Sequence, residues 1–287
     1  MPEMRVKVQP PRCLCGGTRL TPVFSYQAPP EGEVRFHFSS AASYQRKVLR
    51  CDVCGHYLSL HDMDTAGLYT GDYVHVTYGQ EGLQRAFERI VSLDPAKSDN
   101  VGRVQRILDF VARRFSPSPS KTPRTVLDVG SGLCVFLHRM KAFGWEGTAL
   151  DPDPKAIAHA RETVGVEALC GDFLSVEGLG RFDLVTFNKI LEHVRDPVAM
   201  LAKARRHVLP GGVVYVEVPD GEMAVSDGPG REEFFIEHWH IFSSVSLALL
   251  ASRSGFAVRT LERLREPSGK YTLWAFLVPV RQEAESP

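Results

Sequence analysis

The chain has 287 residues, enough for one full-sized α/β domain with a smaller unit beside it, and its 44% hydrophobic content supports a sizeable core. Its 34 lysines and arginines balance 34 aspartates and glutamates, so no global field recruits nucleic acid and polyanion binding is not expected. No apolar run approaches the roughly 20 residues that span a bilayer, and the first 20 residues lack the apolar core of a signal peptide. The expectation is a cytoplasmic protein whose six cysteines are thiols or metal ligands, not disulfides.

Four of those cysteines come first in the chain. Cys13-x-Cys15-Gly16 and Cys51-x-x-Cys54-Gly55 are close pairs, each followed by glycine, and separated by a segment with alternating apolar residues Val34, Phe36 and Phe38. Two such turns facing each other predict a tetrahedral four-thiolate Zn2+ site, with the glycines letting the backbone curve around the sulfurs. Residues 1–62 are therefore read as a zinc-ribbon domain, with the ribbon at about 10–62. Four thiolates leave no open position, so the metal's role is structural. The first pair has one intervening residue where the ribbon pattern usually has two, with Arg12 where a cysteine might be expected. The alternatives are a reduced cluster without metal, or one in which His37, His56 or His61 replaces a cysteine.

Residues 63–123 read as a helical lid and linker. Helical patterns cover Leu83 to Ser92 and Asn100 to Arg114, and the second carries Val101, Val104, Ile107, Leu108 and Val111 as one apolar stripe for packing on the next domain. Ser116 to Pro123, SPSPSKTP, is a linker. Tyr69, Tyr73 and Tyr78 are either interface packing or part of a lid, with Tyr73 and Tyr78 the lid candidates.

The next segment, TVLDVGSG at Thr125 to Gly132, is a short apolar strand that ends in Asp128 and opens at once into Gly130 and Gly132. Such a turn lets a nucleotide-bearing ligand approach the backbone at the carboxyl end of a strand. A dinucleotide site wants a third glycine at Val135, and a triphosphate loop wants Gly-Lys-Ser/Thr; the chain has neither. About 20 residues on, a second strand, Gly147 to Leu150, ends in Asp151, where a carboxylate can accept from both hydroxyls of a ribose. A helix from Pro154 to Thr163, a strand from Glu167 to Cys170, a strand from Phe182 to Phe187, a helix from Pro197 to His207 and a strand from Val213 to Val218 follow, the last two separated by the turn Leu209-Pro210-Gly211-Gly212. This alternation predicts an α/β, doubly wound, mostly parallel sheet. Singly, Asp151 and Asp172 are helix caps or turn residues; their joint order raises them above that reading. Cys134 and Cys170 read as apolar fillers.

Taken in order, TVLDVGSG, Asp151, Gly171-Asp172-Phe173, FDLVTFNKILEHVRDP at Phe182 to Pro197 and LPGGVVYVEVP at Leu209 to Pro219 resemble the motif set of class I S-adenosylmethionine-dependent methyltransferases, over roughly residues 124 to 278. The resemblance implies a seven-stranded Rossmann-like methyltransferase sheet in residues 124–287 and S-adenosyl-L-methionine as cofactor. It implies that Asp128, Gly130 and Gly132 line the methionine and ribose end and that Asp151 holds the ribose. Asp172 would bond the adenine amine, Phe173 would form an apolar wall, and Asn188 would sit by the sulfonium. Relatives often have glycine at the position of Cys134.

Methyl transfer to a hydroxyl or carbon acid needs a general base, expected on loops at the carboxyl edge of the sheet. Glu192-His193 and Glu237-His238-Trp239-His240 qualify. The segment Phe234 to Phe256 resembles one in bacterial methyltransferases of nucleotide sugars and related glycans. In the C-methylating members, which also begin with a cysteine zinc unit, the matching Glu237, His238 and His193 line the acceptor pocket. His238 is the first choice for general base and His240 is read as structural. Phe235 stands where those enzymes have tyrosine, and their large extra carboxyl-terminal domain has no counterpart here. O-methylation of a small-molecule or sugar-containing acceptor is therefore expected, with C-methylation of a nucleotide-linked keto sugar as the alternative. Small-RNA and quinone methyltransferases bind a divalent metal through Glu-x-x-Glu-His; here Lys189 holds the first position. Two other readings are a non-catalytic scaffold and a ribbon that recognises protein or RNA through Arg46, Lys47 and Arg50.

Overall fold

The computed structural model describes residues 12–33, 44–61, 63, 82–114 and 123–280. Val34, Phe36, His37, Phe38, Tyr69, Tyr73, Tyr78 and the linker over 116–122 lie outside the described residues. Three short strands come first, β1 (Leu20–Tyr26), β2 (Arg46–Cys51) and β3 (Tyr57–Leu60), then two helices, α1 (Gly82–Val91) and α2 (Asp99–Arg114). The remainder alternates: β4 (Thr125–Val129), α3 (Val135–Ala142), β5 (Glu146–Asp151), α4 (Pro154–His159), β6 (Glu167–Cys170), β7 (Phe182–Asn188), α5 (Pro197–Ala204) and β8 (Val208–Pro219). A one-turn α6 (Gly221–Ala224), the two-residue β9 (His240–Ile241), α7 (Ser244–Arg253) and the hairpin β10 (Phe256–Arg265) and β11 (Tyr271–Pro279) complete it.

The large sheet has the order β10-β11-β8-β7-β4-β5-β6. Strands β4 to β8 are parallel, and β11 runs antiparallel to both β8 and β10. It is the Rossmann-like methyltransferase sheet, mostly parallel with one reversed strand. Val126, Leu127, Leu184, Val185, Val214 and Val216 are buried on alternating faces, as a sheet covered on both sides requires. On one face α2 buries Val104, Ile107 and Val111 and stacks Phe110 on Phe276 with ring centroids 3.8 Å apart. The five parallel strands end on one edge, and that edge carries the site.

Three local readings differ in detail. The stretch Leu209 to Gly212 falls within the bounds of β8 but bulges out of its ladder with β7: Val208 pairs with Phe182 and Val213 with Leu184, and Gly211 turns at φ +85°. Gly212 packs against backbone there, since a Cβ on it would meet the Asp183 carbonyl oxygen at 2.9 Å. The helix expected over 154–163 widens after His159 into a π turn, Ala160–Val164, and the one expected over 197–207 ends in a 3-10 turn, Arg205–His207. No helix among the described residues is long and apolar enough to cross a membrane.

The amino-terminal strands do not form a sheet by themselves. Their order is β1-β2-β3-β9, so the fourth strand is lent by the segment just after His238. At this seam Glu33 and Arg46 form a fully buried ion pair at 2.9 Å. Glu33 also accepts from the Ile236 N–H at 2.8 Å, and Arg46 donates to the Phe234 carbonyl. Removing one partner strands the other charge away from water, at a cost of about 3–5 kcal/mol. Glu33→Ala is therefore expected to lower stability by about 3 kcal/mol in equilibrium urea unfolding; a loss under about 1 kcal/mol contradicts this account of the seam.

Candidate active site

A cavity of about 810 Å³ opens where β4, β5 and β7 end. Asp128 is buried in β4 and accepts from Thr186 Oγ1 at 2.7 Å and Asn188 Nδ2 at 2.8 Å. Burial pushes its carboxyl up to about 6, against those bonds and the nearby Arg103. The Asn188 Oδ1 is buried with no hydrogen-bond partner among the described residues, an acceptor left over at the cavity. Gly130 turns at φ +70°, and a Cβ on it would fall 2.2 Å from Ile190 Cδ1. The Cys134 position is left-handed too, at φ 58°, where glycine is easier by about 1 kcal/mol or more.

Asp151 ties the loop to β5: its Oδ2 accepts from the Gly132 N–H and its Oδ1 from the Asp153 N–H, each at 2.9 Å. Each carboxylate oxygen keeps a second lone pair for a ligand hydroxyl. Asp172 and Phe173 line the same cavity after β6, and buried Phe173 sets its ring edge-on to Phe187 at 5.6 Å.

At the other end stand His193, Glu237 and His238. The two imidazoles meet at 65° with centroids 4.8 Å apart. His193 Nδ1 lies 3.1 Å from the Glu237 carbonyl oxygen and His238 Nδ1 2.9 Å from that of Glu233. A carbonyl only accepts, so each Nδ1 carries the proton and each Nε2 is the acceptor nitrogen of a neutral ring. Burial keeps them neutral, bringing His193 down to about 4 and His238 well below its ordinary value. Burial also pushes Glu192 up to about 8 and Glu237 up to about 7.

All ten residues read from the sequence as cofactor-binding or catalytic thus line one cavity. His240 does not; its Nδ1 bonds His56 Nε2 across the ribbon seam at 2.9 Å. Lys189 is half-buried near the His238 imidazole at φ 62°, with Nζ bonded to Thr272 Oγ1. Donor atoms of Glu192, His193 and His238 lie within 4.8 Å of one another, close enough to share a cation, with the Lys189 ammonium as the charge nearby.

Sequence reasoning missed Arg103. It reaches the cavity from α2, and its Nε and Nη2 both bond Glu217 Oε2 in β8, at 2.9 and 2.5 Å. Burial alone would raise the Glu217 carboxyl, but Arg103, with Lys189 and Arg106 behind it, holds it down at about 2. The available signal was Glu217 itself, a charge inside the apolar strand Val-Val-Tyr-Val-Glu-Val.

Residues 101–261 match the family model described as a methyltransferase domain. The chain belongs to this family, the class I S-adenosylmethionine-dependent methyltransferases. It is 33% identical over 99 residues to a ubiquinone biosynthesis O-methyltransferase of Caulobacter vibrioides, covering 32% of this chain and 39% of that one. A ubiquinone biosynthesis O-methyltransferase of Xanthomonas oryzae is 32% identical over 116 residues, 38% and 47% of the two chains, so the match spans less than half of either relative. Magnesium protoporphyrin IX methyltransferase of Synechocystis, with bound S-adenosylhomocysteine, has the same fold: TM-score 0.55, 12% identity, 75% of this chain and all of that one. A Burkholderia thailandensis 1,6-didemethyltoxoflavin-N1-methyltransferase aligns over 88% of this chain and all of its own, with TM-score 0.50 and 20% identity.

The methyltransferase also carries its four amino-terminal cysteines as a cluster. Their sulfurs lie within 4.8 Å of one another, with Cys13 to Cys54 at 3.4 Å and Cys15 to Cys51 at 3.6 Å. A tetrahedral zinc with bonds of about 2.3 Å sets sulfurs about 3.8 Å apart, so the donor set fits the metal. Gly16 and Gly55 take φ +85° and +73°, turning the chain around the sulfurs, and Gly17 N–H points at Cys15 Sγ. Burial pushes Cys54 up to about 11 in the bare cluster, which a cation reverses. His56 and His61 are engaged elsewhere, with His240 and Trp239.

Two measurements follow. Freshly purified protein is expected to carry about one zinc per chain and to lose it in Cys51→Ser; markedly substoichiometric metal in the wild type contradicts the site. The carboxyl of Glu192 sits above its ordinary range, so the stability it contributes is present at low pH and lost as pH rises through about 8. Relative to Glu192→Gln, the wild type is expected to lose about 2 kcal/mol between pH 6.5 and 8.5, the contribution of the histidines being common to both proteins. Parallel stability curves for the two proteins contradict this.

Proposed function

We propose that the protein transfers a methyl group from S-adenosylmethionine to an oxygen of a small-molecule or sugar-containing acceptor, with His238 as general base. The observation that carries this reading is the division of one cavity into a glycine-loop end rich in acceptor oxygens and an opposite end with two neutral imidazoles. In this reading Asp151 accepts from the ribose hydroxyls, Asp172 from the adenine amine, and Phe173 walls the base. Gly130 and Gly132 admit the cofactor to the backbone. Asp128 and Asn188 Oδ1 receive the amino group of the methionine end, and Arg103 faces its carboxylate.

The sulfonium supplies a methyl group already activated for in-line displacement, so the protein's share is positioning and proton transfer. The acceptor hydroxyl gives its proton to His238 Nε2 as its oxygen takes the methyl carbon, and the carbon–sulfur bond breaks toward sulfur. The Glu233 carbonyl on Nδ1 keeps Nε2 unprotonated until then. His193 and Glu237 orient the acceptor from either side. The cysteine cluster holds zinc structurally in a ribbon over residues 1–62, because four thiolates saturate a tetrahedral ion.

His238→Ala is expected to lower turnover by about 10²–10⁴-fold with S-adenosylmethionine affinity changed less than threefold, whereas Asp151→Ala weakens that affinity at least tenfold. Calorimetry and turnover against a panel of hydroxyl acceptors measure both. Unchanged turnover in His238→Ala removes the base assignment, and no cofactor binding at all leaves a scaffold. Methylated carbon in the product supports a keto-sugar acceptor instead.

A further inference from the structure

A second groove, of about 660 Å³, lies on the ribbon side of the wall that closes the active site. Consecutive residues serve the two spaces. Glu237 and His238 line the active-site cavity while Trp239 and His240 line the groove, and likewise His193 and Val194 face the cavity while Arg195 faces the groove. The wall between them is pinned, since the Trp239 N–H donates to the Glu192 carbonyl at 2.8 Å and the Ser59 N–H to the Trp239 carbonyl at 3.1 Å.

The groove's charge is one-sided. Arg46, Lys47 and Arg195 line it with His61 and His240, and no aspartate or glutamate does so among the described residues. The chain as a whole carries as many acids as bases, so this segregation is not its background. Arg46 is neutralised by Glu33 beneath the sheet. Lys47 and Arg195 have no ion pair among the described residues, and both are exposed. The Arg195 guanidinium lies over the Trp239 indole at 4.1 Å, and His61 stacks on the same indole at 4.5 Å and 28°. Stacking immobilises a guanidinium by its face and leaves the N–H donors along its edge for an oxyanion. Both ring nitrogens of His61 lack a hydrogen-bond partner among the described residues.

From this geometry we infer that the ribbon groove is a binding site for a phosphorylated small molecule, whose phosphate oxygens engage Lys47 and the edge of Arg195. The volume lies within the range of about 300–1,000 Å³ typical of small-molecule sites and is too large for a bare ion, so the phosphate comes attached to an organic group. Neutral donors for that group are at hand in Ser25 and Gln27. Two cations without an ion pair among the described residues are too few to track a polymer backbone, which sets this site apart from an RNA surface. The ion-paired, buried Arg46 is not one of the contacts, although the sequence offered it as a recognition residue.

The test uses the full-length, metal-loaded protein with S-adenosylhomocysteine at saturation, so that the active-site cavity is filled, and inorganic pyrophosphate as probe. Saturable binding is expected by calorimetry, together with a change in tryptophan fluorescence that disappears in Trp239→Phe. Lys47→Gln and Arg195→Gln are each expected to weaken pyrophosphate at least tenfold while leaving S-adenosylhomocysteine affinity within twofold of wild type, which also shows that the variants are folded. Absence of saturable binding at millimolar pyrophosphate overturns the proposal. So does equal affinity in the Lys47→Gln/Arg195→Gln double variant, or tighter binding of an RNA oligonucleotide that these substitutions do not weaken.

Discussion

The His193–His238 end of the cavity depends on a segment, residues 233–243, that is gripped from two sides. From the ribbon side, Glu33 and Arg46 bond the backbone of Ile236 and Phe234, β3 pairs with β9, His56 bonds His240, and Ser243 Oγ donates to the Cys54 carbonyl. From the sheet side, the N–H groups of Trp239 and His240 both donate to the Glu192 carbonyl. His238 sits in the middle of this clamp, with its tautomer fixed by the Glu233 carbonyl. The cysteine-bearing strands therefore form part of the wall of this cavity. On the proposed reading, a metal held by the four cysteines would also shape the acceptor site, because the cysteine cluster and the histidine bridge are separated by one glycine, Gly55.

The cofactor end is built by different means. It needs no ribbon, only strand ends and tight turns. Gly130, Gly132, Cys134 and Lys189 all take positive φ, and they cluster where the chain leaves β4 and β7. Strain gathered at one edge of a rigid sheet is the mark of a site held open for a ligand. Beneath it, Glu217 gathers Arg103, Arg106 and the Tyr215 hydroxyl into a dry network that anchors α2 to the sheet. Such a network is costly to bury and highly directional, so its role is orientation of Arg103 more than net stability.

Much of this was legible in the chain. The seven residues proposed to hold the cofactor could be gathered into one cavity because each sits at or just past a strand end, where apolar runs and acidic or glycine punctuation mark the position. The cysteine pairs were legible for the same reason, since spacing and following glycines fix a local turn. Arg103 was not, because its function depends on α2 docking across β8, a contact between residues 114 positions apart. The two-residue β9 carries no strand signal of its own, so the merging of ribbon and catalytic wall was invisible. Lys189 looked like a broken motif, and only its left-handed backbone and its bond to Thr272 show a side chain built into the site.

The central claim is that one cavity joins the glycine loop to the paired imidazoles around a bound methyl donor. A crystal structure with S-adenosylhomocysteine tests it most directly. The account predicts the ribose hydroxyls on the Asp151 carboxylate, the adenine between Asp172 and Phe173, and the sulfur turned toward the His193–His238 end. Ligand density outside this cavity, or a sulfur facing away from both imidazoles, contradicts it.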